Sequence, residues 1–247
     1  SSGTTGSILS KHYVHDLQLY KTGFTKTFNS FMKSSKELTI LALLPNYLER
    51  EGSSLVFMVN ELIKQSNNIN SGFYLNDFSS LIQKIEYLEN NNRKTLLVGV
   101  SYALLDLIEI KKFKLKNTII METGGMKGRR KEMIKKELHK TLKDGFGVSY
   151  IYSEYGITEL LSQAYSCGDG LFNCPPWMRV IIRDTEEAQS LILNKTGGIN
   201  IIDLANINSC SFIATQDLGK TFSDGTFEVL GRFDNSDIRG CNLLVLK

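Results

Sequence analysis

The sequence predicts an α/β fold with a mostly parallel sheet flanked by helices, followed by a small antiparallel β subdomain. Up to about residue 166, short apolar runs alternate with segments of helical periodicity, the pattern of a parallel sheet with crossover helices. Beyond that point, short β-rich runs are separated by turns such as Ser223-Asp224-Gly225, which is typical of hairpins. We therefore expect an α/β unit over residues 1–166 and a mainly β unit over residues 167–247.

The composition is that of a globular protein without a strong overall charge. The 247 residues are 42% hydrophobic and carry a net charge of +3, so a large core is expected and nucleic acid is not an expected partner. No apolar run approaches the roughly 20 residues of a membrane-spanning helix. No C-x-x-C pair occurs, so we interpret the cysteines as free thiols in a reducing cytoplasm: Cys167, Cys174, Cys210 and Cys241.

The first unit alternates helix and strand. Helical spacing of apolar residues predicts helices over residues 16–31, 55–65, 78–89 and 102–110, with a long basic helix over 127–143 and a short one over 160–165. Apolar runs predict strands over residues 38–44, 72–75, 95–100, 117–121 and 148–152. In the second unit, strands are expected over residues 179–183, 199–203, 211–214 and 226–230.

One stretch, residues 153–159, brings together the side chains that a nucleotide site needs. Tyr155, Gly156, Thr158 and Glu159 lie within five residues at a predicted strand end, where open α/β sheets bind their ligands. An aromatic ring can stack on a base, glycine permits close approach, a hydroxyl can hold phosphate and a carboxylate can hold hydrated Mg²⁺. The alternative is an ordinary strand-to-helix turn with Thr158 as the helix cap.

The N-terminal residues 1–6 form a dense cluster of Ser, Thr and Gly, with Lys11 close behind. Such a loop can direct N–H groups and hydroxyls at phosphate oxygens while the lysine neutralises charge. It is not the G-x-x-x-x-G-K-[ST] loop, and a flexible Ser/Gly tail is the alternative interpretation.

Weaker candidates occur at other predicted strand ends and turns. Gly124-Gly125 permits close approach of a ligand ring, or is a simple turn. The basic helix can bind a nucleotide-bearing substrate such as coenzyme A, although a solvated face is the more common explanation. A hairpin turn at Asp224-Gly225 would bring Asp217 and Arg232 together as a carboxylate–guanidinium pair for vicinal hydroxyls, or as a surface ion pair.

Cysteine and histidine are the other residue types that could supply a reactive group. Cys241 lies beside Arg239 and Gly240, where a thiol of lowered pKa is possible, although most cysteines are inert filler. His12, His15 and His139 fit no nucleophile–base or metal-ligand pattern, and we expect them at the surface.

The order of these motifs resembles the adenylate-forming superfamily of acyl-CoA synthetases and luciferases. The motifs are Ser-Ser-Gly-Thr-Thr-Gly with Lys11, then Gly-Gly, Tyr-Gly-x-Thr-Glu, Asp-Leu-Gly and Gly-Arg-x-Asp, which together span residues 1–234. Within that superfamily, the chain looks most like the acyl-protein synthetases of the bacterial bioluminescence fatty-acid reductase system. The stretches that carry this likeness are SEYGITELLSQAY, FNCPPWMRV, NIIDLAN and LGRFDNSDIRGC. Phenylacetate-CoA ligases are more distant kin.

The resemblance implies an ATP and Mg²⁺ site. It assigns the phosphates to Ser2, Gly3, Thr4, Thr5, Gly6 and Lys11, the adenine pocket to Gly124, Gly125, Glu154, Tyr155 and Gly156, and the ribose to Asp217 and Arg232. Thr158 would hold phosphate, Glu159 would bind Mg²⁺, and Asp234 matches the superfamily's hinge position. The acyl pocket is expected near Tyr47, Ser101 and Tyr102.

The resemblance also implies the reaction: activation of a carboxylic acid, with a fatty acid expected, to acyl-AMP, followed by transfer to a thiol. Few residues follow Asp234, so we expect neither the superfamily's C-terminal lid nor its lysine, and a part before the phosphate loop is also expected to be missing. The acyl-protein synthetases resemble such a lidless form and carry the acyl group on a cysteine near the C-terminus, which Cys241 matches. The alternatives are an acyl-CoA ligase and a non-catalytic adenylate-binding scaffold that serves a reductase or carrier partner.

Overall fold

The structure is a computed structural model that describes residues 11–32, 34–45, 52–126, 130 and 133–233. Its helices are α1 (Leu17–Met32), α2 (Ser54–Ser66), α3 (Phe78–Asn90), α4 (Ser101–Ile110) and α5 (Lys135–Phe146). Its first six strands are β1 (Thr39–Leu43), β2 (Gly72–Phe73), β3 (Thr95–Val100), β4 (Thr118–Thr123), β5 (Tyr152–Tyr155) and β6 (Ala164–Ser166). The remaining strands are β7 (Met178–Arg183), β8 (Leu191–Ile192), β9 (Gly197–Asp203), β10 (Phe212–Thr221) and β11 (Phe227–Arg232). No helix in the described ranges is long and apolar enough to cross a membrane.

The first sheet has six strands in the order β2-β1-β3-β4-β5-β6. The first five strands run parallel, and β6 pairs antiparallel with β5. Every residue of β1 and β3 is buried, which explains why these strands read as continuous apolar runs in the sequence. All five parallel strands end at the same edge of the sheet, which is the edge where ligands bind in this class of fold.

Three of the described helices begin beside a side chain that caps them. The Asp16 carboxylate accepts the N–H groups of Gln18 and Leu19 at the start of α1, and Ser53 and Asp77 cap α2 and α3 in the same way. Helix α5 ends at Gly147, which has the left-handed conformation that favours glycine. Rings of α1 and α2 pack together at one end of the core.

The second sheet is antiparallel, with five strands in the order β11-β10-β9-β7-β8. The predicted hairpin joins β10 to β11 through a turn at Asp224-Gly225, and Gly225 has a φ of +85° there. Phe172 bridges to Phe227 of β11 through two backbone hydrogen bonds, which attaches the segment after β6 to this sheet. The predicted fold class, a parallel sheet followed by an antiparallel β subdomain, is therefore confirmed.

Three predicted elements were wrong in type or in bounds. The predicted helix at residues 160–165 is absent: the chain turns at residues 157–160 and runs back as β6. A segment of six residues is too short for its periodicity to distinguish a strand from a helix. The basic helix begins at Lys135, because Ile134 is extended. The strand predicted at residues 148–152 starts only at Tyr152, where Met121 of β4 supplies its partner.

The carboxylate of Asp203 fastens the second sheet to the turn that follows β5. Asp203 is fully buried at the end of β9. One oxygen accepts the N–H groups of Leu161 (2.9 Å) and Ser162 (3.0 Å). The other oxygen accepts the Ser162 hydroxyl (2.6 Å) and the N–H of Ala205 (3.1 Å). Because a buried donor left without an acceptor is costly, these contacts hold the turn in one conformation.

Replacing Asp203 should therefore destabilise the fold strongly. We expect Asp203→Ala to lower the free energy of unfolding by about 3 kcal/mol or more, because several buried donors lose their acceptor together. The matched control is Asp184→Ala, whose carboxylate accepts two similar N–H groups in an exposed turn, and which should lower the stability much less. Urea unfolding measures both variants, and equal losses would contradict the role given to Asp203.

Candidate active site

The carboxyl ends of β3, β4 and β5 are held together by Glu122, a buried carboxylate near the end of β4. One of its oxygens accepts the Ser153 hydroxyl of β5 (2.5 Å), and the other accepts the hydroxyl of Ser101, the first residue after β3 (3.1 Å). The Ser101 hydroxyl also lies 3.0 Å from the carbonyl oxygen of Gly124, which has a φ of +66°. Glu122 thereby fixes the backbone at the point where Gly124-Gly125 leaves the sheet.

Helix α5 supplies the positive charge that Glu122 requires. Lys135 donates to the same oxygen that Ser153 contacts (2.7 Å), and the His139 ring nitrogen lies 3.3 Å from it. Burial alone would raise the pKa of Glu122, but the Lys135 charge and these hydrogen bonds outweigh it and hold the pKa well below its usual range. The prediction of a surface position was wrong for His139, which is buried because its side of α5 packs on the sheet.

Tyr155, at the end of β5, lies between the two sheets. Its ring packs edge-on against Phe172 and Phe227, which stack on each other, and its hydroxyl donates to Asp217 (2.7 Å). Burial and the neighbouring Asp217 raise the pKa of the phenol, so the hydroxyl stays protonated and remains a donor. The ammonium of Lys135 lies 4.9 Å from the centre of the Phe172 ring, so the Glu122 network also contacts this aromatic cluster.

Asp217 reaches Tyr155 because β10 leaves its regular pairing with β9 at this point. The register shifts between Ala214 and Leu218, as in a β-bulge, and such irregularities are frequent beside active sites. The guanidinium of Arg183 donates to the carbonyl oxygens of Ile199 (2.9 Å) and Thr215 (2.7 Å) next to the shift. The N–H of Asp217 donates to the Thr215 hydroxyl (3.0 Å). These contacts replace the lost ladder bonds and fix the carboxylate.

The predicted pairing of Asp217 with Arg232 is confirmed. The two residues are direct partners across the β10–β11 hairpin, and the Arg232 Nε lies 3.4 Å from the Asp217 carboxylate. Burial raises the pKa of Asp217, while the Tyr155 hydroxyl and the Arg232 charge act in the opposite direction. The Arg232 side chain is 65% exposed, so most of its guanidinium faces the space outside the hairpin.

Thr158 and Glu159 occupy the two central positions of the turn after β5. The N–H of Leu160 donates to the carbonyl oxygen of Ile157 (3.1 Å), and Asn206 donates to the carbonyl oxygen of Glu159 (2.9 Å). The negative charge of Glu159 contributes to raising the pKa of Asp217, which shows that the two carboxylates are neighbours.

The groups around Glu159 show whether its carboxylate suits the predicted Mg²⁺ site. Within the described ranges, the Glu159 carboxylate has neither a hydrogen bond nor an ion pair, and no group of three or more potential metal ligands occurs. That donor set does not form an all-protein cage, but it suits Mg²⁺, which binds one or two carboxylates together with water and substrate phosphates. Glu159 therefore fits the metal as part of a nucleotide complex.

The Glu154 side chain points to the other face of the sheet from Glu122. Its carboxylate accepts the Thr123 hydroxyl and lines a cavity together with side chains of α1 and α2. Burial raises its pKa to about 7; the Glu122 charge adds to this effect, and the bond from Thr123 opposes it.

The remaining predicted site residues divide into described and undescribed positions. Lys11 is exposed, Ser101 and Tyr102 are buried, and the Tyr102 hydroxyl donates to the carbonyl oxygen of Pro45 (3.3 Å). Several predicted positions lie outside the described residues: Ser2, Gly3, Thr4, Thr5, Gly6, Tyr47, Asp234 and Cys241.

Sequence reasoning missed the network around Glu122. Its partners Lys135, His139 and Ser153 lie 13 to 31 residues further along the chain and form no local motif. The sequence contained one indication of this network. Glu122 follows directly after the apolar run Ile119-Ile120-Met121, and a charged residue in such a position is seldom buried without a partner.

Solved structures with the same fold were found, although no protein-family model and no curated protein matches the chain. ATP-bound MatB from Rhodopseudomonas palustris matches 84% of this chain and 42% of its own, with 17% identity and a TM-score of 0.60. Coronafacic acid ligase from Pectobacterium brasiliense matches 87% of this chain and 43% of its own, with 18% identity and a TM-score of 0.57. The luciferase-like enzyme of the mealworm Zophobas morio matches 95% and 57%, with 15% identity and a TM-score of 0.61.

This likeness concerns the fold. The chain spans between two fifths and three fifths of the length of these three proteins. Over the matched residues the chain has the same fold as these proteins.

The raised pKa of Glu154 predicts a specific pH dependence of stability. Since the folded pKa of about 7 lies above the ordinary value of 4.5, the folded state binds more protons than the unfolded state between these values. Stability is therefore lost as the pH rises through this window. As the pH rises from 5 to 8, we expect the free energy of unfolding of Glu154→Gln to increase by about 1–3 kcal/mol relative to that of the unmodified protein. Urea unfolding at both pH values measures it, with the exposed Glu186→Gln as control, and parallel pH profiles would refute the assignment.

Proposed function

We propose that this chain carries an ATP-dependent acid-activating site that forms acyl-AMP. The observation that carries the proposal is the Asp217–Arg232 pair, held against Tyr155 at the carboxyl end of the parallel sheet. A carboxylate and a guanidinium side by side can bind the two ribose hydroxyls, and the Thr158–Glu159 turn follows directly after Tyr155. The ATP-bound MatB and the coronafacic acid ligase, which share the fold, support the same class of reaction.

The proposed reaction needs positioning and charge neutralisation more than acid–base catalysis. The substrate carboxylate attacks the α-phosphorus of ATP, a P–O bond forms, and pyrophosphate leaves. Thr158 would bind a phosphate oxygen, Glu159 would hold Mg²⁺ on the phosphates, and Arg232 would stay at the ribose. Gly124, Gly125 and Gly156 would permit close approach of the nucleotide. Residues 2–6 and Lys11 would complete the phosphate site.

A thiol would then accept the acyl group. Its sulfur attacks the acyl carbonyl, a thioester forms, and AMP leaves with the bonding electrons. We propose Cys241 as the acceptor, on its sequence likeness to acyl-protein synthetases. The described cysteines, Cys167, Cys174 and Cys210, are free rather than paired in disulfides. Burial raises the pKa of Cys174 to about 12 and also raises that of Cys167, so both are poor sources of thiolate at neutral pH.

The activation step predicts exchange of pyrophosphate into ATP that depends on a carboxylic acid. We expect Glu159→Gln to lower the exchange rate on the order of 100-fold, because the metal loses its protein ligand, while the unfolding midpoint stays the same. Glu186→Gln, an exposed carboxylate on the second sheet, is the control and should exchange normally. Near-normal exchange in Glu159→Gln would reject the metal assignment. Nucleotide binding without exchange for any acid would instead identify a non-catalytic adenylate-binding module.

The acceptor is tested separately by mass spectrometry of the intact chain. After incubation with ATP, Mg²⁺ and an acid that supports exchange, we expect a hydroxylamine-sensitive acyl adduct on Cys241, absent from Cys241→Ala. The matched control is Cys210→Ala, which removes an exposed free thiol and should label as before. Unchanged labelling of Cys241→Ala would exclude this acceptor. A thioester that appears only when coenzyme A is supplied would show that the enzyme is an acyl-CoA ligase.

A further inference from the structure

A second polar cluster lies on the face of the sheet opposite Glu122, around the Glu154 carboxylate. Tyr20 of α1 donates to the carbonyl oxygen of Ser54 at the start of α2 (3.3 Å), and the phenol lies beside Gln163. The negative charge of Glu154 contributes to raising the pKa of Tyr20, which shows that these two groups are also neighbours. The cluster therefore joins α1, α2, β5 and the segment before β6 at the carboxyl end of the parallel strands.

Gln163 supplies the observation that points to a ligand. Its side chain is 95% buried, and its Oε1 has no hydrogen-bond partner among the residues that the structure describes. A buried carbonyl oxygen that lacks a donor costs about 1–3 kcal/mol, so such groups are rare unless something else binds there.

Gly156 borders this cluster at the strand end. The residue is exposed, and a Cβ built on it would lie 2.7 Å from a Glu154 carboxylate oxygen and 3.7 Å from Cγ of Gln163. These distances place Glu154 and Gln163 close to each other beside the turn that carries Thr158 and Glu159. Any side chain at position 156 would press on the Glu154 carboxylate.

Behind Glu154 the interior is apolar and nearly full. The cavity that Glu154 lines is otherwise formed by apolar and aromatic side chains, among them Phe28, Met58, Val98 and Tyr165. It offers about 10 Å³ for the centre of a water molecule, which is the lower limit for holding one. Gln163 does not line this cavity, so a water molecule there would not satisfy its Oε1.

We propose that the acid activated at this site carries a hydrogen-bond donor, a hydroxyl or an amine, that Glu154 and Gln163 bind. This inference rests on the proposed function, since it names the substrate class of the same site. An amine can donate both to the vacant Oε1 of Gln163 and to the Glu154 oxygen that does not accept from Thr123. A hydroxyl donates its single hydrogen to Gln163 and accepts from Glu154 when that carboxyl is protonated. An unsubstituted alkyl acid leaves both acceptors without a partner in a desolvated pocket, and sites of this kind reject such analogues strongly.

The test compares matched four-carbon acids in the pyrophosphate-exchange assay: butyrate and its 3-hydroxy, 4-hydroxy, 3-amino and 4-amino derivatives. We expect at least one donor-bearing acid to exceed butyrate in kcat/KM by about tenfold or more. In Gln163→Met, which keeps the volume of the side chain, this advantage, measured as the ratio of kcat/KM to that with butyrate in the same variant, should fall about tenfold. Gln65→Met removes a partly buried glutamine that bonds Thr25 on the far part of α2, and it should keep the wild-type preference.

A second variant separates the two donor types. Glu154→Gln removes the charge and keeps the shape, so it should lose preference for an amino acid substrate and retain that for a hydroxy acid. Equal use of butyrate and all four derivatives would overturn the proposal. A loss in Gln163→Met that is the same for every acid would also overturn it, because it would show a merely structural role.

Direct binding distinguishes failure of this inference from failure of the proposed function. The shift in melting temperature caused by each acid is measured for the unmodified chain and for Gln163→Met. If no acid supports exchange, acid activation is refuted. The binding site still stands if a donor-bearing acid raises the melting temperature of the unmodified chain and not that of Gln163→Met. If no acid supports exchange and no acid raises the melting temperature of the unmodified chain more than that of Gln163→Met, both proposals are overturned.

Discussion

The candidate site depends on the buried ion pair between Glu122 and Lys135. A carboxylate at the carboxyl end of a parallel sheet loses its water, and only a positive charge and several hydrogen bonds compensate for that loss. Lys135, Ser153 and Ser101 supply them, and each comes from a different element. As a result, the Glu122 carboxylate positions the ends of β3, β4 and β5 relative to the start of α5.

The second sheet contributes to the site through two irregular features of its backbone. Asp203 holds the turn that carries Thr158 and Glu159, and the bulge in β10 turns Asp217 toward Tyr155. Asp203 and the bulge both belong to the second sheet, so residues of both sheets form the site. The Lys135–Phe172 contact connects the two halves, because Phe172 stacks on Phe227 of β11 beneath the Tyr155 ring.

The sequence predicted those parts of the fold that depend on local pattern. The buried runs of β1 and β3 and the Asp-Gly turn of the β10–β11 hairpin were foreseen, and with the hairpin came the Asp217–Arg232 pair, because register follows from the turn. It did not predict β6, whose strand conformation is decided by pairing with β5, nor the burial of His139, which depends on how α5 packs. Long-range pairing and burial are absent from local periodicity, so these features required the structure.

Glu122 and Glu154 show how the same sheet end shifts the pKa values of two carboxyl groups in opposite directions. They lie on neighbouring strands in adjacent register positions, Glu122 opposite Ser153 and Thr123 opposite Glu154, so their side chains point to opposite faces. Lys135 keeps Glu122 ionised, whereas burial, with help from the Glu122 charge, raises the pKa of Glu154 to about 7. Sites that drive the pKa values of two carboxyl groups apart often use the two groups in different roles. The Glu122 face orders the backbone at Gly124-Gly125, and on the other face the Oε1 of Gln163 has no partner among the described residues. A nucleotide and an acid that meet at this strand end would therefore each find a chemically different surface.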